Sequence, residues 1–332
     1  MPDKHHPRRG SMGYSPRKRA PSMIPKVRSW PEIDGTPKVQ GFPGFKAGMT
    51  HAFVVDYRPT STTSGQEVRV PVTVVEVPPV KVCGLRFYEE THRGLQTHGE
   101  VWSSHQEDHL KKRLPIPKNL DTDKMWKKID RDIVDEVRAI VHTKPDMVSG
   151  VPSKVPDIME MRIGGGTMEE RIQKGEDMLD KELSYNEFAK AGDMVDVSSI
   201  TKGKGFQGHI KRWGVKLLRH KNSKSRRNVG TTGVFIPGYI RPTVPQAGQM
   251  GFHQRTEFNK RVLKVGDNGE EITPKGGFLK YGEVNNGYVV LHGSIPGPTK
   301  RTVVMRDPVR LSGVKIEEPN LTYISLESNQ GV

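Results

Sequence analysis

Cysteine and long apolar runs are both nearly absent from this sequence. Cys83 is the one cysteine in 332 residues, which excludes internal disulfides and cysteine-based zinc clusters and suits a reducing compartment. Only 33% of the residues are hydrophobic, and no window approaches the about 18 consecutive apolar residues of a membrane span. The basic N-terminus also lacks the apolar stretch of a secretory signal. We therefore expect a soluble, cytoplasmic protein with no membrane partner.

Acidic residues are scarce in two segments that hold the whole basic excess. The chain carries 53 Lys and Arg against 38 Asp and Glu, a net charge of +15. Residues 1–28 contribute +7 and residues 201–265 contribute +14, whereas the remainder sums to −6. Neither segment can bury enough apolar surface to fold alone. Lysines and arginines that bind phosphates release the counterions condensed on a nucleic acid, and this release favours binding. The charge predicts two nucleic-acid-binding segments; a solubilising tail is the alternative for the first.

Outside these two segments the chain is dominated by short strand patterns. Alternating apolar residues at 68–77 and 80–88 follow an apolar run at 52–56, and turn residues separate the runs. Short strands of this kind, interrupted by insertions, favour a single β-barrel over two independent domains. Further strand patterns occur at 194–200, 277–281, 288–292, 302–305 and 321–326.

The stretch between the two sets of strands predicts helices instead. In 121–142 apolar residues from Trp126 to Ile140 recur every three or four positions, and Thr167 can cap a helix over 168–183. The fold class is therefore mainly β with an α insertion, plus a long basic finger and an extended arm. The predicted division is an arm (1–44), a first part of the barrel (45–104), a helical insertion (105–192) and a second part of the barrel (193–332) that contains the finger (202–262).

A glycine-rich motif at 203–208 (GKGFQG) has the form of a dinucleotide-binding fingerprint but lacks its context. That fingerprint needs a long helix to begin there and an acid about 20 residues later, whereas Gly214 interrupts the helix and no acid occurs before Glu257. No zinc-protease motif, P-loop or nucleophile–base pair is present either. We expect no catalytic residue, cofactor, metal or small-molecule substrate. An RNA-modifying or RNA-processing enzyme with a basic clamp remains the alternative.

The second basic segment alternates cations with aromatic rings. Such interleaving is typical of RNA binding, because phosphates bind the cations and unstacked bases stack on the rings. The glycines allow the main chain to approach a sugar–phosphate surface closely. For Trp213, packing in a small core is an equal alternative. The aromatic residues are Phe206, Trp213, Phe235, Tyr239 and Phe252.

Eight motifs, in order along nearly the whole chain, resemble the family of universal large-subunit ribosomal protein three in its archaeal and eukaryotic form. The absence of a basic extension after Val332 favours the archaeal type. The motifs are 16–20 (PRKRA), 45–50 (FKAGMT), 73–79 (TVVEVPP), 201–208 (TKGKGFQG), 211–214 (KRWG), 247–256 (AGQMGFHQRT), 259–261 (NKR) and 293–298 (GSIPGP).

The resemblance implies a barrel of the translation-factor type, whose arm and finger bind large-subunit rRNA. It also implies a structural protein, not an enzyme, that joins the subunit early in assembly and shapes the surroundings of the peptidyl-transferase centre. Its partners are then rRNA and neighbouring ribosomal proteins, with no homo-oligomer. At 235–237 (FIP), where eukaryotic relatives have a tryptophan, the indole donor is lost but an aromatic face remains.

The predicted rRNA-binding residues lie in the arm and in the finger. Those in the arm are Arg8, Arg9, Arg17, Lys18 and Arg19. Those in the finger are Lys202, Lys204, Phe206, His209, Lys211, Arg212, Trp213, Arg219, Lys221, Lys224, Arg226, Arg227, Phe235, Tyr239, Arg241, Gln249, His253, Arg255, Lys260 and Arg261.

Overall fold

The structure, a computed structural model, describes residues 7–117, 119–236, 238–311, 317–328 and 330. Strand is the main regular structure, as predicted, and the chain divides into two compact units. Unit 1 comprises residues 1–22 and 200–254, and unit 2 comprises residues 23–199 and 255–332. Within the described ranges no helix combines the length and the apolar character needed to cross a lipid bilayer.

The regular elements are numbered along the chain. The strands are β1 (Lys38–Val39), β2 (Gly41–Val55), β3 (Glu67–Glu76), β4 (Val80–Thr91), β5 (Gly94–Trp102), β6 (Glu136–His142), β7 (Ile158–Gly164), β8 (Glu182–Leu183), β9 (Met194–Ile200), β10 (Phe206–Gln207), β11 (Gly248–Gln249), β12 (Gln254–Gly266), β13 (Tyr288–His292), β14 (Thr302–Arg306) and β15 (Leu321–Ile324). The helices are α1 (Thr122–Trp126), α2 (Met168–Met178) and α3 (His209–Trp213), with 3₁₀ helices at Asp108–Lys112, Pro145–Met147, Tyr185–Glu187 and Gly269–Ile272.

Six strands close into a ring, in the order β2–β3–β13–β12–β9–β14 and back to β2. β14 pairs with the first residues of β2, and β15 pairs with its last residues. Side chains such as Val72, Val74, Leu263 and Val290 are buried together, as expected where β-branched residues alternate along barrel strands. This closed ring is the barrel that the strand patterns predict.

A second sheet of unit 2 runs in the order β1–β7–β6–β4–β5, with β8 paired to β4. It corrects the prediction of a mainly helical insertion, because β6 lies where a helix is predicted. The predicted helix over 121–142 ends at Trp126, and Glu136–His142 is a central strand between β4 and β7. A short buried apolar run does not distinguish helix from strand, and pairing on both edges decides it here.

The second predicted helix is present but shorter than expected. α2 begins after Thr167, whose side chain accepts from the backbone of Glu170 while the Glu170 carboxylate accepts from the backbone of Thr167. This capping box satisfies two of the N–H groups that a helix start leaves without partners. The helix ends at Met178 instead of Leu183, because Leu183 pairs with Val80 of β4.

The predicted strand at 277–281 is wrong. Only an isolated bridge joins Phe278 to Gly282, and the backbone turns tightly around it. Gly276, Gly277 and Lys280 all have positive φ angles, which strands do not adopt. The apolar residues of this stretch nevertheless reach the core, since Phe278 and Tyr281 are buried.

Candidate nucleic-acid interface

The charge of the chain is divided almost completely between the two units. Unit 1 contains 17 Lys and Arg and a single acid, Asp3, which gives +16. Unit 2 contains 36 Lys and Arg and 37 acids, which gives −1. The arm and the finger, far apart in sequence, therefore fold into the same unit up to Ser22 and Gln254, and their charges add.

The base of the finger is a short two-stranded ladder. Phe206 of β10 pairs with Gln249 of β11, and Lys204 N donates to Met250 O at 2.9 Å. Close backbone contact here requires glycine: Gly251 has φ +71°, and a Cβ at this position would lie 2.1 Å from the carbonyl oxygen of Lys202. The motif at 203–208 therefore forms part of a hairpin base. The five-residue helix α3 follows this motif and is capped by Gly214. A dinucleotide site would need a long helix to begin here.

The arm is tied to the base of the finger by three residues, Arg17, Arg212 and Trp213, which we call the staple. The guanidinium carbon of Arg17 lies 3.8 Å from the Trp213 ring centroid, within the range of a cation–π contact. Arg17 donates to the carbonyl oxygen of Arg212, and Arg212 Nη2 donates to that of Arg17 at 3.2 Å. The two arginines thus bind each other's backbone across 195 positions of sequence.

The staple is also fixed on the finger side by backbone carbonyls. Arg212 Nε donates to Gln249 O and its Nη1 donates to Gln246 O, both at 2.9 Å. Trp213 Nε1 donates to the same Gln246 oxygen at 2.9 Å. Trp213 is only 7% exposed, and its Nε1 donor and the face that Arg17 covers are both occupied within unit 1. The packing alternative for Trp213 is the one that the structure supports.

A second contact of the arm depends on a glycine. Gly10 has φ +70°, and a Cβ at this position would lie 2.5 Å from Cε3 of Trp213. Nearby, Arg8 Nη2 donates to Thr243 O at 2.6 Å. Further along the arm, Ala20 N donates to Phe252 O at 2.8 Å. These contacts explain how a segment with little apolar surface becomes ordered.

Beyond the base, the finger continues as an exposed loop over 215–245, which we call the distal loop. Its few internal contacts include a hydrogen bond from Leu218 N to Arg226 O at 3.1 Å. Phe235 is 93% exposed, and Val234, Ile236 and Tyr239 are also exposed. The predicted tip thus presents apolar and aromatic side chains to solvent; Pro237 lies outside the described residues.

The predicted site residues fall into three groups by burial. Most are exposed: Arg8, Lys18, Arg19, Lys202, Lys204, Phe206, Lys211, Arg219, Lys221, Lys224, Arg226, Arg227, Phe235, Tyr239 and Arg241. Half-buried are Arg9, Arg17, Arg212, Gln249, Arg255, Lys260 and Arg261. Buried are His209, Trp213 and His253.

The three buried residues pack their side chains inside unit 1, and their predicted contact with RNA stays a prediction. His253 Nδ1 lies 2.8 Å from the carbonyl oxygen of Lys18, so this ring links the finger to the arm, as Trp213 does. His209 lies in α3 with its ring buried. Sequence reasoning missed the structural importance of Gly10 and Gly251, because the sequence of a glycine-rich stretch does not show which glycines have positive φ angles. It also omitted Lys216, an exposed cation of the distal loop.

Comparison with known proteins gives one consistent family. The family described as Ribosomal protein L3 matches residues 1–331. The large ribosomal subunit protein uL3 of Archaeoglobus fulgidus is 50% identical over 330 residues, which cover 98% of this chain and 99% of the relative. The protein of the same name from Thermoplasma acidophilum is 52% identical over 335 residues, with all of both chains covered. That from Methanocaldococcus jannaschii is 46% identical over 332 residues, covering 98% of each.

Proposed function

The chain belongs to the ribosomal protein L3 family, and from that premise we propose that unit 1 is the part that binds the rRNA of the large ribosomal subunit. Members of this family are structural proteins of the ribosome, so the chain is a constituent of the cytoplasmic large subunit and not an enzyme. The enzyme alternative is not retained. The similarity to archaeal relatives over full length agrees with the archaeal type expected from the sequence.

The observation that carries the proposal is the concentration of net positive charge in unit 1. With Asp3 as its one acid, unit 1 offers its exposed lysines and arginines no carboxylate beyond that position. A folded domain with +16 on 77 residues repels itself unless a polyanion neutralises it. Phosphates of rRNA supply that charge, and release of their counterions supplies the driving force.

Unit 1 divides its residues between positioning and contact. The staple and His253 hold the arm against the finger. Their hydrogen bonds to backbone carbonyl oxygens lie within the protein and do not depend on bound RNA. The exposed cations of the arm, the base and the distal loop then contact phosphates in a fixed arrangement. Arg212 is a positioning residue in this account, because three of its nitrogens already donate to carbonyls within unit 1.

The aromatic residues of the finger have a separate role. Phe206, Phe235 and Tyr239 are exposed and lie among cations, so their rings contribute no burial energy to the folded chain. Unstacked bases stacking on such rings contribute about 1–3 kcal/mol each. We propose that these three rings contact rRNA bases and that the distal loop extends toward the peptidyl-transferase centre.

The barrel and the second sheet complete the proposal. The closed ring of six strands supports a barrel of the translation-factor type. Unit 2 is close to neutral, which suits contacts with neighbouring ribosomal proteins and with solvent better than with phosphates. We propose that the chain acts as one copy per subunit and joins it early in assembly.

The test is removal of residues 217–241, joined by a glycine–serine linker. This deletion keeps the staple and its acceptor Gln246, so unit 1 retains its base. The variant is expected to fold but to be lost from large subunits when lysates are sedimented. A control variant replaces Leu95, an exposed residue of β5 in unit 2, with serine and is expected to sediment with the subunit. Normal incorporation of the deletion into active large subunits would show that the finger is not the anchor.

A further inference from the structure

Two histidines of unit 2 face each other in a way that the ribosomal role does not explain. His109 lies in the 3₁₀ helix Asp108–Lys112, and His142 is the last residue of β6. The Nε2 atom of His109 lies 3.2 Å from the Nδ1 atom of His142, and the rings meet edge to face with centroids 4.8 Å apart. The pair comes from residues 33 positions apart, which is why no sequence motif indicates it.

The outer nitrogen of His109 is fixed by a carboxylate. Its Nδ1 lies 2.9 Å from Glu107 Oε2, at salt-bridge distance. When Glu107 accepts the Nδ1 proton, the lone pair of His109 is on Nε2 and points at His142. A carboxylate that orients a histidine in this way is typical of metal-binding histidines.

His142 is wholly buried, and its polar contacts lie on one side of the ring. Besides His109, its Nδ1 lies 3.4 Å from the carbonyl oxygen of Thr143. Its Nε2 is buried without a hydrogen-bond partner in the part of the chain that the structure describes. The nitrogen of this ring that can share an ion with His109 is therefore Nδ1.

The spacing of the two nitrogens suits a tetrahedral metal ion. Zinc–nitrogen bonds of about 2.0–2.1 Å at a tetrahedral angle separate two ligand nitrogens by about 3.3–3.4 Å. The observed 3.2 Å is within the tolerance of such a site. Two lone pairs at this distance repel each other unless a proton or a cation lies between them.

The surrounding charges permit a dication. Lys144 Nζ lies 2.9 Å from Glu107 Oε1, and Lys81 Nζ lies 3.8 Å from it. Each ammonium has a second acid of its own, Asp180 at 2.8 Å for Lys81 and Glu182 for Lys144. The carboxylates of Glu107, Asp180 and Glu182 and the ammonium groups of Lys81 and Lys144 sum to one negative charge beside the neutral imidazoles.

We propose that His109 Nε2 and His142 Nδ1 form a binding site for Zn²⁺ or a similar divalent transition ion, with Glu107 orienting His109. Imidazole is a preferred ligand of such ions. His109 is partly exposed, so water can reach the site from that side and complete the coordination. Among the described residues, Glu107, His109 and His142 are the one group whose ligand atoms lie within 4.8 Å of one another.

The experiment is a calorimetric titration of the full chain with Zn²⁺ alone, after treatment with a chelator. One ion is expected per chain, and Co²⁺ is expected to give the visible absorption of a tetrahedral complex. His109→Asn is expected to abolish both signals. Glu107→Gln is expected to weaken binding by about tenfold or more, as loss of an orienting carboxylate does.

The matched control is His105→Asn, which removes an exposed histidine four positions away and is expected to leave binding unchanged. This control shows whether the loss of a nearby histidine outside the pair is enough to change the signals. Cys83 reactivity with a thiol reagent, compared before and after unfolding, shows whether each variant is folded. Zinc binding that is absent from the folded chain, or that survives unchanged in folded His109→Asn, would overturn the proposal.

Discussion

Unit 2 pairs a row of its arginines with carboxylates, whereas Arg17 and Arg212 of unit 1 donate to backbone carbonyls and other cations of unit 1 are exposed. In unit 2, Arg86, Arg138 and Arg162 lie directly opposite one another across β4, β6 and β7. Such a row of like charges is tolerated because Glu160 contacts the first two and Glu136 the last two. Burial is the largest single influence on the pKa of Arg138 and lowers it, but the hydrogen bonds and charges of Glu136, Tyr88 and Glu160 together outweigh burial, so the pKa is raised.

Unit 1 has no such carboxylates, so its arginines divide into two kinds. Arg17 and Arg212 donate to carbonyl oxygens, which satisfy donors without cancelling the charge. In the described part of the distal loop, Arg226 Nε donates to Leu218 O at 3.5 Å, whereas Arg219, Lys221, Lys224 and Arg227 are exposed. The comparison shows that the number of lysines and arginines alone does not identify a binding region: both units are rich in these residues, and the near absence of acids distinguishes unit 1.

The largest effect that separates the units is expected from Trp213→Ala. Truncating a buried tryptophan costs about 3–5 kcal/mol, and here it also removes the surface on which Arg17 stacks. Unit 1 is expected to become sensitive to limited proteolysis while unit 2 stays resistant. Phe235→Ala, which removes an exposed ring, is the control and is expected to leave the digestion pattern unchanged. Equal sensitivity of both units in Trp213→Ala would show that they are one cooperative structure.

A smaller effect is expected from Gly10→Ala. The new Cβ would meet the Trp213 ring at 2.5 Å in a backbone conformation that costs a non-glycine residue about 1–3 kcal/mol. The arm is expected to detach, which faster hydrogen exchange at Ala20 N would report. Gly13→Ala is the matched control, since its Cβ would meet only Ser11 Oγ at 3.5 Å. Unchanged exchange in Gly10→Ala would show that the arm is not held at Trp213.

In unit 2 the corresponding test is Glu160→Gln. The change weakens the partner shared by Arg86 and Arg138 and is expected to lower the free energy of unfolding by about 1–2 kcal/mol. Urea unfolding followed by circular dichroism measures it. Glu67→Gln, at an exposed position at the start of β3, is expected to have no effect. If both variants unfold alike, the row of arginines is not stabilised by its acids.

The smallest expected effect concerns the reactivity of the Cys83 thiol, which is expected not to change. Burial raises the pKa of this thiol to about 12, so at pH 8 the native chain has almost no reactive thiolate. Iodoacetamide is expected to label Cys83 only after unfolding, in the wild-type chain and equally in Trp213→Ala. Rapid labelling in native Trp213→Ala would mean that unit 2 depends on unit 1.

Several parts of this comparison were predictable from the sequence and others were not. Strands such as β3, β4 and β9 follow from alternating apolar residues, and the two basic segments follow from counting charges. The strand β6 was missed because its apolar run also fits a helical period, and only pairing with β4 and β7 decides between them.

The joining of the arm to the finger could not be predicted. It depends on guanidinium groups meeting carbonyl oxygens and one indole ring, and neither contact leaves a periodic pattern in the sequence. For the same reason the sequence assigned Trp213, His209 and His253 to RNA. Their residue types suit RNA binding, and the sequence does not show that their side chains are buried.

The most direct test of the account is the salt dependence of binding to large-subunit rRNA. A variant is made in which five exposed cations of the distal loop are replaced by glutamine: Arg219, Lys221, Lys224, Arg226 and Arg227. Each phosphate contact contributes about 0.7–0.9 to the slope of log K against log salt. If all five contact phosphates, the slope becomes shallower by about 3.5–4.5.

The matched control replaces five exposed cations of unit 2 in the same way: Arg93, Lys111, Lys112, Lys127 and Lys128. The account predicts that the unit 1 variant loses several units of slope and that the control keeps the wild-type slope. Equal losses in the two variants, or a wild-type slope in the unit 1 variant, would contradict the assignment of rRNA binding to unit 1.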